Sequence, residues 1–382
     1  MAKPAHDERT AAVVRGLAAA DAITWPAWWH RLSHLPPRRE VRLSQAWQHA
    51  RDGKTTSLPT PYLQSSSPSL VDPAAPADDL EWLTVSLRHH LGQRLDGTPT
   101  DEPFAVWHEL ARMRAADPGS VRGRIGTVMA LENLARGLHP PASGNDTPHY
   151  FDDIACIRGL AAGLLRPGDP SGAAALAAHD AEVTHALDGV WAARATAALL
   201  AVLLGGTTVG GTAPDVGTPT SGEQPDRADD TIQRAIDAAR AELSPDTWCA
   251  AVVAECLAVA DEAARATKTS PLLLGAQLER EAVDHVYGYA NQAPATLGLL
   301  LAHLRTARNG SDLLLGALAH PRHADALVPL AGAVAGAAFD DVGFPEPPET
   351  LPGTCIRALA GTRLGSVVAA VSRAAGRTEV SA

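Results

Sequence analysis

Pro76-Ala77-Asp78-Asp79-Leu80-Glu81-Trp82 places three acidic side chains at the start of an amphipathic helix. One apolar face of that helix has a spacing near 3.6 residues and consists of Leu80, Leu83, Leu87 and Leu91. The acids directly follow residues 52–77, which are rich in Gly, Ser, Thr and Pro and lack periodicity, so we predict a loop there. A long loop in a compact domain is usually functional or disordered. Because this one leads into adjacent carboxylates, we favour a function.

A second acidic helix start, His323-Ala324-Asp325-Ala326, lies nearly the whole chain away. Its helix carries small residues at a spacing of four, which allow another helix to approach closely; these are Gly332, Ala333, Gly336 and Ala337. Hard divalent cations such as Mg²⁺ take oxygen ligands, and clustered carboxylates are their usual source. Two helix starts that bring acids from opposite ends of the chain indicate a metal site. Its predicted ligands are Asp78, Asp79 and Asp325, with His323 beside them.

Each acidic motif also has a purely structural interpretation. Asp78 and Glu81 match the N-cap and N3 positions of a capping box, and the helix dipole favours Asp79. Asp325 would cap its own helix in the same way. One cap needs only one acid, whereas paired acids stand here at the end of a long loop. We therefore favour the metal site.

The composition predicts closely packed helices. Hydrophobic residues make up 46% of the 382 residues, and many of them are Ala. The sequence contains no clear strand alternation and no repeat of fixed length. We predict an all-α orthogonal helical bundle that forms a single domain over residues 1–382. The Gly/Thr/Pro-rich residues 205–230 are expected to form a flexible surface loop.

The net charge and the cysteines limit the kinds of partner and the cellular compartment that we expect. A formal net charge of −11 argues against a broad basic face for nucleic acid. No signal peptide is evident, and no CxxC pair occurs among the four cysteines, which we expect to be buried thiols of a reduced, cytoplasmic protein. The longest apolar run, residues 195–204, is too short to cross a bilayer, so we expect no membrane partner.

Three other places supply candidate ligand-binding residues. Asp21 lies near the end of a helix predicted over residues 10–22 and ended or bent by Pro26; a carboxylate there opposes the helix dipole and needs a partner. His185 is a further candidate, although a lone His is more often a hydrogen-bonded interior residue. A turn-rich segment precedes another helix, whose free N–H groups suit phosphate oxygens. Its candidates are Gly144, Asn145, His149, Tyr150 and Asp153.

Five short motifs match, in chain order, the motifs of one known family. They are Ala20-Asp21-Ala22-Ile23-Thr24, Ala77-Asp78-Asp79-Leu80, Ala155-Cys156-Ile157-Arg158, Thr184-His185, and His323-Ala324-Asp325-Ala326 with its Ala/Gly-rich helix. They correspond to a Gly-Asp-Ala-Leu-Gly-like signature, Thr-Asp-Asp-Thr, a motif ending in Ala-Met-Arg, a Thr-His step, and Asp-Thr-Asp-Thr. On these motifs the chain resembles the ADP-ribosylglycohydrolase family over nearly its whole length.

The resemblance implies an all-helical fold with two Mg²⁺ ions between the N- and C-terminal motifs. In that family the ions orient the ribose of an ADP-ribosyl group and a water, and the bond at the anomeric carbon is hydrolysed. By position, Asp78 and Asp79 would be catalytic residues as well as metal ligands. The turn-rich segment would face the ligand, with His185 beside the pocket.

Three departures from the family motifs affect the expected metal. Ala77 and Ala326 stand where the family has Thr ligands, and His323 stands where it has Asp. Mg²⁺ tolerates imidazole poorly, whereas Mn²⁺ or Zn²⁺ accepts it. A pair of Mg²⁺ ions, a single ion, Mn²⁺ or another metal, and no ion all remain open.

Three functions remain open from the sequence. The first is metal-assisted hydrolysis of an N- or O-glycosidic bond in an ADP-ribosylated protein or a small nucleotide-like substrate. The second is a non-hydrolytic family member, a pseudoenzyme that binds a nucleotide or partner. The third is a metal-dependent enzyme acting on another diphosphate, because Asp78-Asp79-Leu80-Glu81 also resembles the acidic motif of class I terpene synthases.

Overall fold

Helices account for the regular secondary structure of the described chain. The computed structural model describes residues 6–34, 78–206, 224–265, 270–286, 290–339 and 343–380. Within these ranges the extended segments pair only in isolated bridges, and a 3-10 turn spans Arg357–Leu359. The helices are α1 (His6–His34), α2 (Asp79–His90), α3 (Ala105–Ala116), α4 (Ile125–Ala135), α5 (Ala142–Asn145), α6 (Ile154–Leu165), α7 (Pro170–Ala181), α8 (Leu187–Gly205), α9 (Gln224–Ala241), α10 (Trp248–Arg265), α11 (Pro271–Glu281), α12 (Ala293–Thr306), α13 (Gly310–Leu318), α14 (Ala324–Ala338) and α15 (Leu364–Val380). The all-α prediction is confirmed.

The first helix is longer than the sequence indicated. We predicted that Pro26 would end or bend it, but α1 continues to His34. A Pro inside a helix removes one backbone hydrogen bond without always ending the helix. Asp21 therefore lies inside α1, and the dipole argument for its partner does not apply. Its need for a partner comes from burial, since Asp21 is 1% exposed.

The two predicted loops fall largely outside the described residues. All of residues 52–77 and residues 207–223 of the second loop lie there. The second loop, predicted over residues 205–230, also has a different boundary, because α9 begins at Gln224. The polar composition of this helix start resembles a loop, which explains the misplaced boundary.

The closest described helix crossing joins α1 to α14. A Cβ atom added to Gly332 would lie 2.2 Å from the carbonyl oxygen of Gly16, and one added to Gly16 would lie 2.1 Å from the carbonyl oxygen of Gly332. One turn further along, a Cβ atom on Gly336 would lie 2.3 Å from the carbonyl oxygen of Ala12. The two helices therefore touch backbone to backbone. The small-residue spacing in α14 predicted this close approach.

The register of this crossing brings distant acids to one end of the bundle. Residue numbers rise along α1 as they fall along α14, so the two helices are antiparallel. Asp21 lies beyond the crossing in α1, on the side of the N-terminal turn of α14, which contains Asp325. Both carboxyl groups are buried. The helix pairing thus delivers acids from the two ends of the sequence to the same region.

A second crossing places α8 in the interior. A Cβ atom on Gly159 of α6 would lie 2.5 Å from the carbonyl oxygen of Ala193 in α8. By length and composition alone, α8 is long and apolar enough to cross a membrane, as core helices of globular proteins also are. Here 67% of its apolar window is buried inside the protein. It is longer than the apolar run that we recognised in the sequence. Its burial is typical of a core helix, and the absence of a membrane partner stays a prediction.

Arg9 ties the C-terminal ends of α8 and α14 together. Its guanidinium donates hydrogen bonds to the carbonyl oxygens of Leu203 at 2.6 Å, Leu204 at 2.5 Å and Gly206 at 2.8 Å. It also donates to the carbonyl oxygen of Ala337 at 3.3 Å. The last carbonyl groups of a helix lack partners within the helix, and a cation near them is favourable. Arg9 therefore fixes the end of the α1–α14 pair that lies away from the acids.

All four cysteines are buried free thiols, as we predicted: Cys156, Cys249, Cys256 and Cys355. Burial raises the pKa of Cys156 and Cys256 to about 12. These two thiols are therefore protonated at neutral pH and pack as small apolar groups. The reduced, cytoplasmic compartment stays a prediction.

The helix crossing leads to a stability prediction. Gly332→Ala should lower the free energy of unfolding by about 1–3 kcal/mol, the usual cost of overpacking, because the new methyl group forces α1 and α14 apart. Urea denaturation followed by circular dichroism measures this loss. The matched control is Gly365→Ala in α15, where an added Cβ atom meets nothing within 4 Å. It should be neutral or slightly stabilising, and equal stability of the two variants would contradict the backbone contact.

Candidate functional site

Three carboxyl groups from separate parts of the chain surround the guanidinium of Arg124. Its Nη1 atom lies 2.8 Å from Asp153 Oδ1, and its Nη2 atom lies 3.4 Å from Asp79 Oδ1 and 4.0 Å from Asp325 Oδ2. The side chains of Asp79 and Asp153 are fully buried, and those of Arg124 and Asp325 are 5% exposed. We call these four residues, with Asp21 and Asp78, the acidic centre.

Four helix starts build this centre. Asp79 is the first residue of α2, Asp325 lies in the first turn of α14, and Asp153 is the N-cap of α6. The positive end of a helix dipole favours carboxylates at each of these places. Arg124 is the N-cap of α4, where the same dipole disfavours a cation. Its position is therefore explained by the surrounding acids and not by its own helix.

Asp21 and Asp78 complete the acidic side of the centre. The Oδ2 atom of Asp21 accepts a hydrogen bond from the backbone N–H of Leu80 at 3.1 Å, which orients the first turn of α2. Asp78 is 1% exposed and adds its charge to both neighbouring acids. Asp78, Asp79 and Asp325 thus lie in one region, as the sequence predicted, and Asp21 joins them.

Glu81 has a different role from the one that the sequence indicated. Its carboxylate accepts three backbone hydrogen bonds, from Thr354 at 2.7 Å, Cys355 at 3.0 Å and Ile356 at 2.6 Å. Asp78, the N-cap of α2, makes no side-chain cap hydrogen bond. The capping-box interpretation is therefore wrong. Glu81 anchors a distant loop to α2, because that loop presents three N–H groups to one carboxylate.

Burial makes the carboxyl groups weak acids. Burial, reinforced by the charge of Asp78, raises the pKa of Asp21 and Asp79 well above the ordinary value. Burial also raises the pKa of Asp153 to about 7, although Arg124 opposes this shift. Burial lowers the pKa of Arg124, but the nearby carboxylates outweigh it and keep that pKa well above its ordinary value. The centre therefore holds a permanent cation, two carboxyl groups with raised pKa values, and a third, Asp153, with a pKa of about 7.

The backbone around Arg124 is fixed on both sides. The N–H group of Gly126 donates to Asp152 Oδ2 at 3.2 Å, and a Cβ atom on Gly126 would lie 2.5 Å from the carbonyl oxygen of His149. A Cβ atom on Gly123 would lie 3.0 Å from the ring of Trp82. Only glycine allows this approach of the chain to its neighbours. The start of α4 is therefore packed so that the Arg124 side chain reaches the acids.

His185 supports this arrangement from behind. Its Nε2 atom lies 3.0 Å from Asp152 Oδ1, and its Nδ1 atom lies 2.7 Å from Thr184 Oγ1. The ring is fully buried, and both nitrogens are engaged. This environment matches the hydrogen-bonded interior histidine that the sequence analysis described as the commoner case. A direct contact between His185 and a ligand stays a prediction.

A buried hydrogen bond joins two of the motif positions, Arg158 and Thr184, and an ion pair with Asp180 supports it. Arg158 donates hydrogen bonds to Thr184 and to Asp180, with its Nη2 atom 2.8 Å from Asp180 Oδ2. Its guanidinium also lies 4.3 Å from the centre of the Trp107 ring, in a cation–π contact. Burial would raise the pKa of Asp180, but Arg158 and other neighbours lower it below the ordinary value. This pair fixes Thr184, and through it His185.

The turn-rich segment reaches the centre only through its last residue. Among its five candidates, Asp153 contacts Arg124 and also accepts a hydrogen bond from Thr296 Oγ1 at 2.9 Å. The other four differ in exposure: Gly144 is buried against the backbone of residues 182–185, Asn145 is exposed, and His149 and Tyr150 are half-buried. Their predicted contacts with a ligand are not tested by the described geometry.

His323 faces a different charged group from the one that we predicted. Burial lowers its pKa to about 3, so the ring is neutral, and Glu279 is its largest electrostatic partner. Glu279 also pairs with His320, whose Nδ1 atom lies 2.7 Å from Glu279 Oε1. Neither ring nitrogen of His323 forms a hydrogen bond with a described residue. His323 thus lies between the acidic centre and a buried Glu–His pair.

The described side chains do not fit a divalent ion as they stand. Within the described ranges, no group of three or more His, Cys, Asp or Glu side chains is arranged to hold a metal. Arg124 contacts Asp79 and Asp325, two of the predicted ligands, and its charge repels a cation. Ala77 lies outside the described residues. The Mg²⁺ site stays a prediction, with Arg124 as the observation against it.

The sequence interpretation did not identify Arg124, Asp152 or Thr296. The partners that link Asp152 and Thr296 to the centre lie 26 and 143 residues away in the chain, so no local pattern indicates them. Arg124 does carry a local signal, because it stands between two glycines immediately before a helix, where the dipole disfavours a cation. An arginine at such a position indicates acidic partners elsewhere in the fold.

Comparison with known proteins agrees with the fold and the motifs. The model of the family described as ADP-ribosylglycohydrolase matches residues 2–374. A solved structure titled "ADP-ribosylglycohydrolase-related protein complex" is similar, with a TM-score of 0.55, 18% identity, and coverage of 97% of this chain and 99% of that one. At this identity the likeness shows the fold alone. No curated protein matches the chain. Because the family model spans almost the entire sequence, the chain belongs to the ADP-ribosylglycohydrolase family.

Proposed function

We propose that this protein hydrolyses the N- or O-glycosidic bond of an ADP-ribosyl group or a related nucleotide, with the acidic centre as its reacting site. The supporting observation is the convergence of Asp79, Asp153 and Asp325 on one buried cation in a member of this family. The partner would be an ADP-ribosylated protein or a small nucleotide-like molecule.

The chemistry of a glycoside suits paired carboxyl groups. Hydrolysis needs one group that protonates the leaving atom, another that takes a proton from water, and negative charge near the oxocarbenium-like transition state. Asp79, whose pKa is raised by burial and by Asp78, suits the acid. Asp153, with a pKa of about 7, suits the base. The water oxygen would join the anomeric carbon as its bond to the leaving group breaks.

Two carboxyl oxygens offer places for the substrate. Asp21 Oδ1 and Asp79 Oδ2 are buried and accept no hydrogen bond from a described residue. Buried polar atoms of this kind usually have a partner, and a bound hydroxyl group or water supplies one. We assign these oxygens to the ribose hydroxyl groups or to the attacking water. The side chains of Arg124 and Asp325 are 5% exposed, whereas those of Asp79 and Asp153 are fully buried, so the ligand would approach past the first two.

A second candidate function is ligand binding without hydrolysis. The contact between Arg124 and the carboxylates favours it, because an ion-paired carboxylate is a weaker base than a free one. Family membership favours these two functions over the third sequence hypothesis, an enzyme for another diphosphate.

Hydrolysis is tested by the release of ADP-ribose from ADP-ribosylated arginine and serine peptides, followed by chromatography and mass spectrometry. Asp79→Asn and Asp153→Asn should each lower the rate by about 10²–10⁴-fold, because each removes one proton-transfer group. Asp101→Asn, at an exposed position, should retain the wild-type rate.

Calorimetric titration with ADP-ribose separates the two functions. Binding without turnover would replace the first function by the second. A folded wild-type protein that neither binds ADP-ribose nor releases it would reject both.

The raised pKa of Asp153 also predicts a pH dependence of stability. The folded protein holds this proton more tightly than the unfolded chain, so its stability falls as pH rises from the ordinary value of 3.8 through about 7. Asn cannot ionise. Between pH 5 and 8, Asp153→Asn should therefore lose less unfolding free energy than wild type, by on the order of 2 kcal/mol.

Urea midpoints of the two proteins at both pH values measure this difference. The comparison cancels other titrating groups, including the buried histidines His90 and His323, whose pKa values burial lowers to about 3. An identical pH dependence of both proteins would show that Asp153 is already ionised below pH 5.

A further inference from the structure

We propose that Arg124 is a built-in cation that takes the place of a divalent metal ion in the acidic centre, so that the folded centre does not bind such an ion. This inference concerns the charge balance of the centre. It therefore stands or falls independently of whether the centre hydrolyses its ligand.

The guanidinium lies where a bridging cation would have to lie. Its two Nη atoms face Asp153 on one side and Asp79 and Asp325 on the other, which come from α6, α2 and α14. A guanidinium is planar and always charged, and its several N–H groups serve more than one carboxylate at once. One side chain thus links three segments of the fold, which is the structural task of a shared metal ion.

A metal ion and this guanidinium exclude each other. Mg²⁺ requires oxygen ligands at about 2.0–2.1 Å in a nearly octahedral arrangement. An ion at that distance from Asp79 and Asp325 would share those carboxylates with Arg124, which contacts both. The two positive charges would then lie within a few ångströms of each other in a buried site, where water screens them weakly.

The Arg124 backbone cannot easily move away to admit the ion. The flanking Gly126 is held by Asp152 and by the carbonyl oxygen of His149, and Gly123 packs against Trp82. The Arg124 side chain itself is only 5% exposed. Because the backbone is held, withdrawal of the guanidinium would depend on the torsion angles of the buried side chain alone.

The residues beside Asp325 add no oxygen ligand. Ala326 is fully buried and carries only a methyl group, and His323 carries an imidazole ring, which has no oxygen atom. The centre therefore already contains a cation, the Arg124 guanidinium. It offers few additional ligands to a metal ion from solution. The position of Arg124 and the lack of further oxygen ligands both indicate that the carboxylates are neutralised by the arginine and not by a metal ion.

Metal titration of the chelator-treated full chain tests the inference without any substrate. Isothermal calorimetry with Mg²⁺ and Mn²⁺ should show no saturable binding to wild type, and neither ion should raise its melting temperature. Arg124→Ala leaves the carboxylates without their cation, so it should bind Mn²⁺ saturably and melt at a higher temperature when the ion is added. Electron paramagnetic resonance of Mn²⁺ supplies an independent count of bound ions.

Two control variants separate charge from surface effects. Arg124→Lys keeps a positive charge near the acids and should therefore also show no saturable Mn²⁺ binding, although one ammonium cannot reproduce all the contacts of the planar guanidinium. Arg112→Ala removes an exposed arginine of α3 and should also resemble wild type.

Saturable binding of a divalent ion by wild type would overturn the proposal. A folded Arg124→Ala variant that binds no Mn²⁺ would also overturn it. If Arg124→Ala does not fold, the metal titrations of wild type and of Arg124→Lys still test whether the centre excludes a divalent ion. Failure to release ADP-ribose contradicts only the proposed function, because these titrations contain no nucleotide.

Discussion

The backbone contact between α1 and α14 is the constraint on which the acidic centre depends. Gly16 and Gly332 approach too closely for either to carry a side chain, and this contact sets an antiparallel register. The register places Asp21 and the N-terminal turn of α14 at the same end of the bundle. The core then surrounds these acids with apolar side chains, and burial raises the pKa of Asp21 well above its ordinary value.

Buried carboxyl groups can be accommodated by protonation, by hydrogen bonds or by a nearby cation, and this fold uses all three. Asp153 has a pKa of about 7, Glu81 accepts three backbone N–H groups, and Arg124 supplies the positive charge. Asp152 and His185 fix the backbone that carries the arginine. The proposed reaction and the stability of the fold therefore involve the same groups.

The sequence predicted the parts of this site that follow from local patterns. Small residues every four positions in α14 indicated the close helix contact, and acids at two helix starts indicated a shared region. Arg124 and Glu81 could not be assigned in this way, because the partners of Arg124 are as many as 201 residues away and those of Glu81 up to 275. The predicted end of α1 at Pro26 was wrong, because the loss of one backbone hydrogen bond at a proline does not end this helix. Which residues become partners across such separations depends on how the helices pack, and a short sequence pattern does not contain that information.

The hydrogen bond from Arg9 to Ala337, which spans 328 positions, has a consequence for biosynthesis. During translation the first helix emerges from the ribosome long before the helix on which it packs. Until then, the face of α1 that packs on α14 is uncovered, which exposes it to aggregation or to chaperones. The α1–α14 pair therefore forms late, and termination of translation before α14 would leave this face of α1 uncovered.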